Sequence, residues 1–60
     1  MTAASALSTL YARGLPRDAD DATARTAIAR AFPRAFASWR HAVLDAHRVA
    51  RQEHTTGTPF

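Results

Sequence analysis

Cysteine and lysine are both absent from this sequence, and glycine occurs only twice. Without cysteine no disulfide can brace the fold, and thiolate metal sites and cysteine nucleophiles are excluded with it. With Gly14 and Gly57 the only glycines, no glycine-rich phosphate cradle exists. Apolar runs never exceed a few residues, far short of the ~20 needed to span a bilayer, and no charged segment leads into a hydrophobic stretch as in a secretory signal. The expectation is a cytoplasmic chain with no membrane contact. Residues 1–17 are acid-free and carry two arginines, a composition loosely similar to a mitochondrial presequence, but Ala- and Leu-rich first helices share it.

Large apolar side chains are also scarce. Apolar residues make up 47% of the 60, yet fifteen of them are alanine. So short a chain forms one small module with a thin core, and small folds usually need a disulfide, a metal or a partner. The disulfide being excluded, a partner is the leading expectation.

What the chain does have is arginine. All eight basic residues are Arg, against five Asp+Glu, for a net charge of +3, a balance that favours acidic partners. The charge is segregated: residues 1–24 hold two arginines and three aspartates, while 25–60 hold six arginines, Asp45 and Glu53.

The periodicity is helical throughout, so the fold class is all-α. Leu7, Leu10 and Tyr11 recur at i, i+3 and i+4, defining a short N-terminal helix from Thr2 to Arg13. Gly14 can take the left-handed position after its last turn, Leu15 can pack back on Leu10, and Pro16 prevents continuation. Asp18 is the expected N-cap of the next helix, with Asp20 and Asp21 in its first turn. From there Ile28, Phe32, Phe36, Trp39, Val43, Ala46 and Ala50 form one apolar stripe. Pro33 interrupts the hydrogen-bond ladder, so this long helix is kinked or broken there. The alternatives are a helical hairpin and a three-helix mini-bundle, over residues 1–52. The tail 53–60, without periodicity and rich in Thr, is expected to be flexible.

A first helix of about 17 Å covers only a third of a 19–52 helix of about 51 Å at 1.5 Å per residue. Part of the stripe therefore seeks cover. Phe32, Phe36, Trp39, Val43 and Val49 are the candidate partner-binding residues, facing another protein or a second copy of the chain. Arg30, Arg34, Arg40, His41, Arg48 and Arg51 lie opposite, and Arg40, Arg48 and Arg51 are the candidate anion-binding residues, with nucleic acid as the alternative partner. Asp45 partly neutralises that face, and Leu44 sits within it, either touching a second surface or as one of the exposed leucines common on protein surfaces. His41, His47 and His54 are spaced by 6 and 7, which places no two imidazoles one turn apart, so no metal is expected. No nucleophile with a base partner stands out, the aspartate cluster reads as helix capping, and neither catalysis nor a cofactor is expected. The reading is a non-catalytic interaction module or small accessory subunit. A nucleic-acid-binding protein is the alternative, and a precursor or scaffold peptide presenting its C-terminal end to a modifying enzyme is a further one.

Overall fold

A computed structural model describes residues 1–56. It comprises three helices, α1 (Ala3–Ala12), α2 (Asp21–Ala31) and α3 (Ala37–Thr56), and no other regular element among the described residues. The all-α class is thus observed. The Gly57–Phe60 part of the expected tail lies outside the described residues, while Glu53–Thr56 belong to α3, which runs four residues past the expected end at Gln52.

Each helix end has a local cause. Thr2 caps α1, its hydroxyl accepting from the Ser5 amide at 3.1 Å. At the other end Gly14 adopts φ 112°, the Leu15 amide reaches back to the Leu10 carbonyl at 3.0 Å, and the Gly14 amide reaches the Tyr11 carbonyl at 3.0 Å. This paired closure is the arrangement expected of a glycine following the last turn. The N-cap of α2 is Asp20 rather than Asp18, its carboxylate accepting from the Thr23 amide at 2.8 Å. Two residues of register are lost because Ala19 is drawn into the core. At the end of α2 the Phe32 amide still bonds to the Ile28 carbonyl, but Phe32 itself leaves helical geometry at φ −130°, ψ 62°, as expected for a residue preceding proline.

The three helices pack on one another, with α3 against both of the others. Tyr11 near the end of α1 meets His47 midway along α3, while Asp21 at the start of α2 meets Arg48. Chain order therefore gives α1 parallel to α3 and α2 antiparallel to both. The core consists of Ala6, Leu7, Leu10, Ala24, Ile28, Val43 and Leu44, with Tyr11, Leu15, Phe32, Trp39, Ala46 and Ala50 among the residues packed around it. Two expectations fail here. Val43, a candidate partner-facing residue, is fully buried in the chain's own core, and Leu44, expected on the polar side, is buried beside it. The cause is the non-helical stretch from Phe32 to Phe36. It folds α3 back on α2, so the α3 part of the stripe, Trp39, Val43, Ala46 and Ala50, turns inward onto the chain's own core, and the buried face widens to take in Leu44 and His47.

Candidate functional site: an aromatic tip and an adjoining groove

The connection from α2 to α3 leaves its aromatic residues at one end of the molecule. Phe32 and Trp39 pack edge to face, ring centroids 5.2 Å apart at 82°, a favoured geometry for aromatic pairs. Both are only partly covered, and Phe36 is 83% exposed. Met1, itself 81% exposed, joins them because parallel α1 starts at the same end. Together with Ala31, Pro33, Arg34 and Ala35 these residues form a shallow apolar depression. Among the described residues the exposed large hydrophobic side chains are Phe36, Met1 and Val49, with Phe36 the most exposed.

Of the five candidate partner-binding residues, the structure brings three together. Phe32, Phe36 and Trp39 share the tip, whereas Val43 is in the core and Val49, 54% exposed, lies further along α3 outside the patch. Met1 is the patch member that periodicity missed, since it precedes the first helix and has no stripe to belong to.

Beside the tip, α2 and α3 enclose an open groove of about 380 Å³. Ile28, Ala29, Ala37 and Leu44 supply its apolar part, and Arg25, Arg40 and His41 its polar edges. The candidate anion-binding residues separate accordingly. Arg40 lines the groove, while Arg48 is held by two carboxylates, donating from Nε to Asp21 Oδ2 at 2.9 Å and from Nη1 to Asp45 Oδ1 at 3.0 Å. Arg51 approaches the same Asp21 at 3.9 Å. The hydrogen bond from Arg48 holds the Asp21 carboxyl below the usual aspartate range, and Asp21 in turn raises the Arg48 guanidinium. His41 meets Asp45 at 3.5 Å. Arg40, Arg48 and Arg51 therefore do not form one free basic face.

The most buried polar group is one the sequence did not single out as structural. His47 is 0% exposed and is bonded through both ring nitrogens, Nε2 to the Ala19 carbonyl at 2.7 Å and Nδ1 to the Tyr11 hydroxyl at 2.7 Å. A carbonyl only accepts, so Nε2 carries the hydrogen, and in the neutral ring Nδ1 accepts from Tyr11. Arg17 lies over the Tyr11 ring, 5.1 Å from its centroid. Burial raises the Tyr11 phenol above its ordinary range, with Arg17 opposing. This network ties α1, the α1–α2 connection and α3 together and leaves the imidazole no open ligand position. Among the described residues no group of three or more His, Cys, Asp or Glu is placed to hold a metal ion. Nor is any described helix long and apolar enough to cross a membrane.

The class the fold and surface define is a small three-helix chain with one uncovered aromatic end. Comparison with protein-family models, with curated proteins and with solved structures gives no match.

Proposed function

We propose that this chain is a non-catalytic helical interaction module, a three-helix mini-bundle broken at Pro33, that docks on another protein through its aromatic tip. The observation that carries the reading is Phe36, 83% exposed beside the partly buried Phe32 and Trp39. Aromatic side chains dominate interface energetics, and a contiguous apolar patch rimmed by polar residues is the usual mark of a contact site. In this reading Phe36 is the anchor, Phe32 and Trp39 its apolar surround, and Arg34 part of the polar rim. Val43 stabilises the module instead of meeting the partner.

The nucleic-acid reading draws less support. Arg48, which was to track phosphates, is already engaged by Asp21 and Asp45, and phosphate contacts would have to displace them. The precursor-peptide reading concerns an end of the chain that is largely outside the described residues.

Site-specific photo-crosslinking tests the docking role. A benzophenone side chain replacing Phe36 should give one dominant adduct in the native host, and the same group at exposed Arg13 should not. Equal or absent labelling at both positions would sink the reading.

A further inference from the structure

The distribution of charge bears on what the tip takes. From Ala22 to Leu44 the chain carries four arginines and no carboxylate, whereas the rest of it carries four arginines and five carboxylates. Apart from Met1, every residue of the tip and of the groove falls within that acid-free stretch. The nearest aspartates are engaged: Asp20 caps α2, Asp21 and Asp45 hold Arg48, and Asp45 also meets His41 at the groove's edge at 3.5 Å. Arg34 lines the patch beside Phe36, and Arg40, next to Trp39 in sequence, lines the groove opposite Arg25. Among the described residues none of Arg25, Arg34 and Arg40 has a carboxylate within ion-pair distance.

Covering the aromatics is favourable whatever covers them, so charge decides the occupant. Two copies meeting tip to tip would juxtapose two cationic rims, which is costly. A bilayer surface would reach the shallow tip at the end of the molecule but not the recess between α2 and α3 where Arg25 and Arg40 stand. A segment with an apolar side chain flanked by carboxylates satisfies both features, since the apolar group covers the rings and the carboxylates meet guanidinium forks. Resting on the docking role proposed above, we infer that the tip and groove together recognise an acidic amphipathic segment of another protein. Its apolar anchor sits on Phe32, Phe36 and Trp39, and its carboxylates face Arg25, Arg34 and Arg40.

The chain's single tryptophan lies in the site itself, so Trp39 emission reports occupancy. Three synthetic amphipathic peptides with one apolar pattern, and with Glu, Gln or Lys at every polar position, are titrated into the full chain. The Glu peptide should shift Trp39 emission and bind at least about tenfold more tightly than the Gln peptide at low salt. That advantage should shrink as ionic strength rises past about 0.15 M. The Lys peptide should not bind. Joint Arg34→Gln and Arg40→Gln replacement should reduce Glu-peptide affinity to the Gln-peptide level with unchanged helicity, and Arg34→Lys with Arg40→Lys should restore most of it.

Equal binding of the Glu and Gln peptides would overturn the charge selection while leaving the docking role intact. No response to any peptide at about 1 mM, an affinity at the weak end of specific binding, would overturn the inference, and the crosslinking result then tells whether docking fails too. A larger Trp39 shift with phosphatidylglycerol vesicles than with the Glu peptide would assign the surface to lipid. A shift on concentrating the protein alone, with a dimer in sedimentation, would assign it to a second copy. Either result overturns the inference.

Discussion

His47 and Leu44 decide how α3 is rotated against its neighbours, and neither is where a simple reading of the wheel places it. Leu44→Ala should cost about 2–5 kcal/mol, as truncation of a buried leucine does, whereas an exposed leucine would change stability by no more than about 0.5 kcal/mol. Denaturant titration followed by circular dichroism separates the two outcomes. At His47 the Ala19 carbonyl and the Tyr11 hydroxyl lose their buried partner together, so His47→Leu should destabilise by about 1–3 kcal/mol for each group left unsatisfied. Tyr11→Phe should cost less, about 1 kcal/mol, because the imidazole keeps its bond to Ala19. If His47→Leu proved neutral, the network would have no structural weight. Sequence spacing held a usable hint of it: His47 lies i+4 from Val43 and i+3 from Leu44, an inward face once Leu44 is read as apolar core rather than as an outlier. The bond partners themselves, 36 and 28 residues away in sequence, leave no local trace.

For the helices, the legible signals were those with a short-range cause. The end of α1 at Gly14 could be read residue by residue, because only three consecutive positions and their backbone bonds are involved. Nothing lies within 4 Å of where a Gly14 side chain would begin, so Gly14→Ala should destabilise through backbone strain alone, by about 1–2 kcal/mol. A d-alanine at the same position, accessible by chemical synthesis of so short a chain, should restore stability. Thermal unfolding of the two variants makes the comparison, and equal losses would point away from backbone conformation. The α2–α3 junction was only half legible. Pro33 announces an interruption, but not that Phe32 to Phe36 would all leave the helix and let α3 fold back on α2. That fold-back is why Val43 lies in the core instead of on a contact surface, while Phe32, Phe36 and Trp39 gather at the end of the molecule.

At the level of the whole molecule, an elongated body of 42 × 20 × 19 Å is closed at one end by aromatics and tied along its side by Asp21, Asp45 and Arg48. Asp21, through the Arg48 hydrogen bond, and Asp20, through its bonds with Thr23, both have lowered pKa values. A carboxyl whose folded value lies below its unfolded one adds stability above the unfolded value and loses it as pH falls through the folded one. The melting temperature should therefore be flat from about pH 7 to 5 on this account and drop below about pH 4. Asp21→Asn should blunt that drop, and an unchanged acid limb in the variant would remove these pairs from the explanation. The cross-helix pairing of Asp21 with Arg48 was not apparent from the sequence, since Asp21 read simply as a first-turn carboxylate and Arg48 as a candidate for binding an external anion.

The lengths of the helices also set a mechanical reach. Because α1 ends and α2 begins level with His47 and Arg48, the C-terminal half of α3 runs away from the aromatics, and the entire 20-residue helix is about 30 Å long. The aromatic tip can therefore be gripped without touching Arg48 or Asp21, which stand some way up the rod.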